Sequence, residues 1–418
     1  MRAKTKRPDG QPRKRRARPR FLAVDFFCGA GGTTRGLIDA GGYVIAGIDK
    51  DERCERTYVD NNSNRTLDSE PARFLPFDIF PRCDWHPEGQ QTELFSKLDS
   101  LIAKYRRQSK GLPLLFAICA PCQPFTKLSK KELTPERRYE RSRDKNLLAE
   151  ACKFIRRFKP DLVLSENVAS IDDGRYGGVW NTFRCTLEEL GYSTGTDVIC
   201  TSRFGIPQRR KRSILLAAKK RAVRKDRLCG LFGADILVPT YDEEARTVSV
   251  AEVLHHLPPI KAGQIHPTVP NHRARTLSPL NIKRIASAKP GQSNEYMAQT
   301  KFGDLSLKCH REVNKRQRVR CFTDVYTRMA PDRPSPTITT KCHSISNGRF
   351  GHYDVKQNRG ISLREAAILQ SFPDDYIFYP ENQIEPVARM IGNAVPPKLA
   401  EYFAGYLLRC IALPAQRT

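Results

Sequence analysis

The first half of the chain predicts a doubly wound α/β fold, in which helices cover both faces of a mostly parallel sheet. Apolar, β-rich runs alternate there with stretches that are long enough for helices, which is the pattern of βαβ units. Four of these runs span residues 21–27, 43–48, 114–118 and 161–164. With 418 residues, 39% of them hydrophobic, the chain can bury a substantial core and form two or three domains. The alternation stops after Lys219, so we expect a second, smaller domain beyond that point.

The first predicted strand leads into a glycine-rich turn, residues 28–36, with the sequence Cys-Gly-Ala-Gly-Gly-Thr-Thr-Arg-Gly. Glycine permits positive φ and lets a ligand approach the backbone closely. Thr34 occupies the place of the last glycine in the G-x-G-x-x-G motif of diphosphate binders. The next strand ends in Asp49, about twenty residues after the turn, where an acid can bind a ribose hydroxyl. These features favour an adenosine-containing cofactor that lacks a diphosphate.

The segment 119–125, Cys-Ala-Pro-Cys-Gln-Pro-Phe, directly follows the predicted strand 114–118. A cysteine in a stiff loop at the carboxyl end of a parallel strand lies where open α/β sheets bind ligands. Cys122 is therefore a candidate nucleophile. Its spacing from Cys119 is also that of a redox dithiol or of half a zinc site. We expect no metal, because the other cysteines are scattered singly and the 8 histidines form no paired motif.

Three further segments carry polar groups. Residues 165–168, Ser-Glu-Asn-Val, follow another buried run, and Glu166 either reaches the crevice of Cys122 or caps the next helix. Residues 208–212, Gln-Arg-Arg-Lys-Arg, form a basic cluster before a strand-like run. Residues 391–397, Ile-Gly-Asn-Ala-Val-Pro-Pro, precede an apolar helix at 398–410, where a proline in the first turn is well tolerated.

Together and in this order, these segments resemble the motifs of the bacterial cytosine-C5 DNA methyltransferase family. The matching motifs are the glycine turn, Pro-Cys-Gln, Glu-Asn-Val, Gln-x-Arg-x-Arg and Gly-Asn-x-Val, and the resemblance spans residues 21–410. It implies a Rossmann-like, S-adenosylmethionine-dependent methyltransferase domain with a smaller target-recognition domain. The chain departs from the usual wording at Cys28 and Ala120, neither of which is expected to touch the reacting atoms.

The resemblance also assigns roles to individual residues. Cys122 would add to C6 of cytosine and Glu166 would hydrogen-bond N3, while Arg210 and Arg212 would hold the base near the thiolate. Because C5 lies inside the stacked duplex, the target nucleotide would be flipped out, and we expect a mobile loop at 126–143. The cofactor S-adenosyl-L-methionine would be bound by Phe27, Gly29, Gly31, Gly32, Asp49, Asp78, Ile79, Pro121 and Asn393.

Composition favours a polyanionic partner, which the resemblance identifies as double-stranded DNA. Lys and Arg number 72 against 45 Asp and Glu, giving a formal net charge of +27 and a pI near 9.8. Residues 1–20 contain ten basic side chains and a single acid, so we expect a disordered tail that serves as a DNA-binding arm, a nuclear address or a soluble leader. Since no signal peptide or membrane span is evident, we expect a cytoplasmic monomer with reduced cysteines.

The expected organisation has four parts: a tail at 1–20, a catalytic domain at 21–220, a target-recognition region at 221–358 and a C-terminal return to the catalytic domain at 359–418. The segment 334–340, Pro-Ser-Pro-Thr-Ile-Thr-Thr, resembles the family's link from recognition domain to core. Helices at 362–370 and after Pro397 should pack on the first edge of the sheet. Candidate DNA contacts in the recognition region are Arg328, Lys341, Arg349 and Tyr353.

Three alternatives remain open at this point. The first is a tRNA cytosine-C5 methyltransferase of the same fold, since the triplet at 321–323, Cys-Phe-Thr, echoes that branch. The second is a DNA-binding protein that keeps the fold without catalysis, although both Cys122 and Glu166 are present. The third is a cysteine redox enzyme.

Overall fold

The computed structural model describes most of the chain, with gaps. The described residues are 18–67, 70–121, 134, 139, 142–172, 178–229, 235–236, 238–239, 246–308 and 322–412. Cys122 lies outside them, as do the predicted tail up to residue 17, Cys321 and most of the predicted loop at 126–143.

Seven strands form one mixed sheet in the order β3-β2-β1-β4-β5-β7-β6. Their bounds are β1 Phe21–Phe26, β2 Gly42–Ile48, β3 Arg73–Leu75, β4 Leu114–Ile118, β5 Leu162–Val168, β6 Tyr192–Cys200 and β7 Lys211–Lys219. Strands β1 to β5 are parallel to one another, while β7 runs antiparallel to both β5 and β6. A separate hairpin pairs β8 Leu228–Cys229 with β9 Asp235–Ile236. The predicted doubly wound, mostly parallel fold is thereby confirmed.

Helices cover both faces of this sheet. The described helices are α1 Gly32–Asp39, α2 Glu55–Asn61, α3 Gln91–Gln108, α4 Leu147–Phe158, α5 Val179–Glu189, α6 Val250–Leu254, α7 Pro279–Ser287, α8 Leu363–Leu369, α9 Ile384–Asn393 and α10 Pro397–Cys410, of which α7 packs in a separate small cluster away from the sheet. One core layer joins the sheet to α1 and to the C-terminal helices, and the other joins it to α3, α4 and α5. Every residue of β1, β2 and β4 is buried, which explains their continuous apolar sequences.

The C-terminal return packs on a face of the sheet rather than on its edge. Helix α10 lies against α1 and reaches β5 and β7 in the middle of the sheet. The close approach requires a glycine, because a Cβ on Gly36 would lie 2.2 Å from the Pro397 carbonyl oxygen. Leu399, Phe403 and Leu407 supply the apolar face of α10 to this core. The predicted position at the first edge is therefore wrong, since this buried apolar stripe fits a sheet face and not a half-solvated edge.

Two strands are longer than their apolar runs indicate. Strand β5 continues through the polar residues after Leu164 to Val168, and β7 begins at Lys211. The antiparallel pairing of these strands runs unbroken from Leu162 opposite Ala218 to Val168 opposite Arg212. Polar side chains at strand ends hid this extension, because a sequence pattern detects burial more readily than backbone pairing.

The described residues between 246 and 358 include few regular elements, and a buried arginine holds their loops together. The Arg328 side chain is 0% exposed and donates to five carbonyl groups and to the side-chain oxygen of Asn358. Desolvation lowers the pKa of Arg328 to about 10. The prediction that Arg328 contacts DNA is therefore wrong, because its guanidinium is buried and donates its hydrogen bonds to the surrounding loops. Arg349 likewise donates to the Gln292 carbonyl and pairs with Asp324.

Among the described helices, none has both the length and the apolar character that a bilayer crossing requires. Within the same described residues, no group of three or more His, Cys, Asp or Glu side chains is placed to hold a metal ion. The boundaries proposed at residues 220 and 358 stay predictions.

Candidate active site

The predicted site residues converge at the carboxyl edge of the central strands. Strands β1, β2, β4 and β5 are mutually parallel, so the segments that follow them emerge on the same side of the sheet. These segments carry Phe27, Asp49 and Pro121, and Glu166 lies within β5 itself, two residues before the strand ends. Cys122, one residue after Pro121, lies outside the described residues.

The glycine turn after β1 is built from positive-φ residues. Gly29 and Gly31 have φ of 48° and 88°, and Phe27 has φ of 62°. An aromatic residue in the left-handed region costs on the order of 1–3 kcal/mol, and such strain concentrates at ligand sites. A Cβ on Gly31 would lie 2.3 Å from Nδ2 of Asn62, whereas a Cβ on Gly29 would meet nothing within 4 Å. The turn is thus packed from behind and open beside Gly29.

Asp49 ties the end of β2 to this turn. Its two carboxylate oxygens accept hydrogen bonds of 2.9 Å from the backbone N–H groups of Gly29 and Asp51. Desolvation raises the pKa of Asp49 from its ordinary value. Further along the edge, Asp78 and the next residue, Ile79, are both buried. The structure therefore places Asp49 at the turn itself and Asp78 after β3.

The segment 391–397, which carries the Gly-Asn-x-Val motif, contacts the glycine turn through its backbone. A Cβ on Gly32 would lie 2.4 Å from the carbonyl oxygen of Val395, so the two segments touch. Asn393 is the last residue of α9 and is exposed. This contact explains how a residue near position 393 can belong to the same site as residues 27–32.

Glu166 and Arg212 form an ion pair at the ends of β5 and β7. Arg212 Nε lies 2.7 Å from Glu166 Oε1, and each side chain is only about one-tenth exposed, at 11% and 10%. Oε1 has no aligned hydrogen bond in the described part of the chain, so the contact is electrostatic rather than a well-directed hydrogen bond. The structure thus brings together two of the four predicted catalytic residues.

Two neighbours of Glu166 hold the loop that leads to Cys122. The Ser165 hydroxyl donates to the Ile118 carbonyl, and Asn167 Nδ2 donates to the Ala120 carbonyl at 3.1 Å. Both residues are at most 1% exposed. Sequence reasoning gave them no role, although small polar residues in an otherwise apolar strand were a signal. They fix the backbone just before Pro121 relative to Glu166.

Arg210 has a different environment from Arg212. Its side chain is buried, and Nη1 donates to the carbonyls of Ile338 and Gly392 at 3.0 and 3.1 Å. These partners lie in the predicted link 334–340 and in the late Gly-Asn motif. The contacts of Arg210 therefore indicate a residue that joins three segments of the chain, whereas Arg212 faces Glu166.

Asp25 is a buried acid that sequence reasoning missed. It is 0% exposed within β1, and Oδ2 accepts a 2.7 Å hydrogen bond from the Thr34 hydroxyl. Oδ1 has no hydrogen-bond partner among the described residues, and burial raises the pKa of Asp25 to about 7. A charge in the middle of an otherwise apolar strand was the signal. Desolvation likewise raises the pKa of the Cys119 thiol well above its ordinary value, which disfavours a reactive thiolate there.

Comparison with known proteins agrees with this geometry. A family model described as C-5 cytosine-specific DNA methylase matches residues 103–409. Type II methylase M.HgiDII of Herpetosiphon aurantiacus is 34% identical over 389 residues, covering 92% of this chain and 94% of that protein. Type II methyltransferase M1.HphI of Haemophilus parahaemolyticus is 26% identical, covering 92% and 86%.

Solved structures show the same fold at low identity. A prophage-encoded E. coli protein, described as a DNA modification methyltransferase, matches with a TM-score of 0.61 and 18% identity, covering 93% of this chain and 99% of that one. The S. pombe Dnmt2 methyltransferase matches with a TM-score of 0.51 and 17% identity, with the same coverage. The family match over residues 103–409 and the 34% identity to M.HgiDII establish that the chain belongs to the C-5 cytosine-specific DNA methylase family and is a DNA (cytosine-5)-methyltransferase.

Proposed function

We propose that the protein transfers a methyl group from S-adenosyl-L-methionine to C5 of cytosine within a specific sequence of double-stranded DNA. The observation that carries this proposal is the Glu166–Arg212 pair beside the backbone that leads to Cys122. Strand β4 lies between β5, which carries Glu166, and β1, which leads into the strained glycine turn. A pocket for the methyl donor and a pocket for the base would therefore lie side by side at one edge of the sheet.

The residues at the glycine turn fit an adenosine-based methyl donor. The open space beside Gly29 leaves room for a ligand against the backbone, and Phe27 is held there with strained dihedral angles. Asp49 and Asp78 supply carboxylates for ribose hydroxyls and for the adenine amino group, with Ile79, Gly31, Gly32, Pro121 and Asn393 completing the site. When bound, S-adenosyl-L-methionine supplies the electrophilic methyl group.

Cys122 would supply the nucleophile that activates the base. Its thiolate forms a bond to C6 of cytosine, and the displaced electron pair moves through the ring so that C5 becomes carbanion-like. After C5 has gained the methyl group, a base removes the C5 proton, and the electron pair left behind expels the thiolate by β-elimination. The enzyme is thereby regenerated and 5-methylcytosine is released.

Glu166 would stabilise the negative charge that develops on the ring, by sharing a proton with N3. N3 of cytosine and the carboxylate are both hydrogen-bond acceptors, so a proton must lie between them for the two to interact. As thiolate addition increases electron density at N3, this proton moves toward the ring. Arg212, 2.7 Å from Oε1, stabilises the negative carboxylate that remains.

The proposed substrate is duplex DNA, and the target cytosine would be flipped into the pocket. Enzymes that react at a base carbon must extrude the base from the stack, because the ring faces are covered in the duplex. The excess of 72 basic over 45 acidic residues supports binding to a phosphate backbone. The family model that matches the chain is described as a C-5 cytosine-specific DNA methylase, so DNA is favoured over tRNA.

The direct test is methyl transfer with a labelled donor. Purified protein is incubated with S-adenosyl-L-methionine carrying a tritiated methyl group and with either genomic duplex DNA or bulk tRNA. We expect label in the DNA alone, and bisulfite sequencing of the product should place it at cytosines within one recurring sequence. Label in tRNA alone, or at adenine or at cytosine N4, would contradict the proposal.

A further inference from the structure

A buried histidine lies directly behind Asp78. His86 is 0% exposed, and its Nε2 lies 3.3 Å from Asp78 Oδ2 while Nδ1 lies 3.0 Å from Glu88 Oε1. Neither contact is aligned as a hydrogen bond among the described residues. Burying the two ring nitrogens of an imidazole costs free energy unless they interact with a polar partner. Of the two carboxylates within reach, that of Asp78 is buried, whereas that of Glu88 is 61% exposed.

The ring of His86 is held in place by the chain around it. Its backbone forms a tight bridge with Cys83, with N–H to carbonyl distances of 2.9 and 3.2 Å. Phe80 meets the ring edge-on, with centroids 5.4 Å apart, and Trp85 packs beside it at 5.7 Å. The imidazole is thus confined near Asp78 by packing as well as by charge.

The rest of the Asp78 carboxylate is also constrained. Oδ1 accepts a 2.9 Å hydrogen bond from the Phe80 N–H, which is part of the same loop. Lys50 is a weak alternative partner for Oδ2, since its ammonium lies 3.9 Å away on a side chain that is 54% exposed. His86 is therefore the buried group that can fix the orientation of Oδ2.

We propose that His86 is a positioning residue that aims the Asp78 carboxylate at the exocyclic amino group of a 6-aminopurine nucleoside. This inference rests on the proposed use of S-adenosyl-L-methionine. A carboxylate is an acceptor only, so it recognises an amino group and repels the oxygen of a 6-oxopurine. Its selectivity depends on orientation, because hydrogen bonds weaken steeply with misalignment.

The test compares two ligands that differ at this one group: S-adenosyl-L-homocysteine and S-inosyl-L-homocysteine. Binding to the full-length protein is measured by isothermal titration calorimetry for the wild type, His86→Leu and His86→Gln. We expect the wild type to prefer the adenosyl ligand strongly. His86→Leu should weaken adenosyl binding about tenfold and leave inosyl binding unchanged, whereas His86→Gln, which keeps a donor, should recover most of the preference.

Two controls separate positioning from a merely structural role. Glu88→Gln alters the exposed partner of the ring and should change the preference by less than about twofold. In methyl transfer, His86→Leu should raise KM for the donor with little change in kcat at saturation.

Equal weakening of both ligands by His86→Leu, or no weakening of either, would overturn the inference. Failure of the wild type to bind the adenosyl ligand at all would instead overturn the proposed function. The two failures are therefore distinguishable in one titration series.

Discussion

At the scale of single residues, the Glu166–Arg212 pair follows from strand pairing. Arg212 stands opposite Val168 in the β5–β7 ladder, and residues two apart on a strand share a face, so Arg212 lies on the same side as Glu166. Both side chains are largely removed from water. Removal of either partner would leave a desolvated charge, which is more costly than loss of an exposed ion pair.

Glu166→Gln tests the proton role of this carboxyl group. An amide can hydrogen-bond N3 but cannot pass a proton to it, so kcat should fall at least about 100-fold while donor binding stays within a few-fold of wild type. Single-turnover methyl transfer and calorimetric titration of the donor measure the two quantities. Glu189→Gln, on the exposed end of α5, is the matched control and should be unchanged. A less than tenfold loss would contradict the assigned role.

Asp25 provides a test by pH. Its folded-state pKa of about 7 lies above its ordinary value of 3.8, so the fold favours the neutral form. The contribution of neutral Asp25 to the free energy of unfolding is fully present below pH 3.8, its ordinary pKa, and is lost as the pH rises through about 7. Asp25→Asn lacks this dependence, so it should gain roughly 2 kcal/mol relative to wild type between about pH 5 and about pH 8. Denaturant unfolding of both proteins measures the difference, and parallel stability curves would refute the assignment.

At the scale of elements, the N-terminal glycine turn and the C-terminal helices form one packed unit. Gly32 approaches the backbone of Val395, and Gly36 in α1 approaches that of Pro397 at the start of α10. Arg210 adds hydrogen bonds from β7 to the Ile338 and Gly392 carbonyls. The shape of the proposed cofactor site therefore depends on contacts between segments that are far apart in sequence.

Gly36→Ala tests this unit. Both Gly36 and Gly405 lie within helices, but a Cβ on Gly36 would clash with backbone, whereas one on Gly405 would meet only the Arg409 side chain at 3.6 Å. Gly36→Ala should destabilise the protein by about 1–3 kcal/mol through overpacking. Gly405→Ala should stabilise it by about 0.5–1 kcal/mol through helix propensity. Chemical denaturation of both variants decides the matter; equal effects would show that α1 and α10 are not in close contact.

At the scale of the whole molecule, the sequence predicted the parts that depend on local pattern. Strand β4 and helix α10 were located within one residue, because continuous apolar runs and a first-turn proline are local signals. The motif residues Asp49, Pro121 and Glu166 were correctly placed on one sheet edge. The buried roles of Arg210 and Arg328 could not be predicted, because a guanidinium that binds backbone carbonyls looks the same in sequence as one that binds phosphate.

The charge of the whole chain predicts a strong salt dependence of DNA binding. With a net charge of +27, association should release several counterions, so the logarithm of affinity should fall linearly with the logarithm of salt concentration. A protein that neutralises about six to ten phosphates loses about 10³–10⁵ in affinity between 50 and 200 mM salt. Fluorescence anisotropy with a labelled duplex measures the slope. Salt-independent binding would contradict a phosphate-based interface.

The most direct test of the central claim is covalent capture on 5-fluorocytosine. Fluorine at C5 cannot leave as a proton does, so a thiolate that has added to C6 stays attached after methyl transfer. We expect wild type and Cys119→Ser to form a denaturation-resistant complex with duplex DNA that contains 5-fluorocytosine throughout, in the presence of S-adenosyl-L-methionine. Cys122→Ser should form none. Absence of a wild-type adduct, or an adduct that survives loss of Cys122 but not of Cys119, would contradict the account.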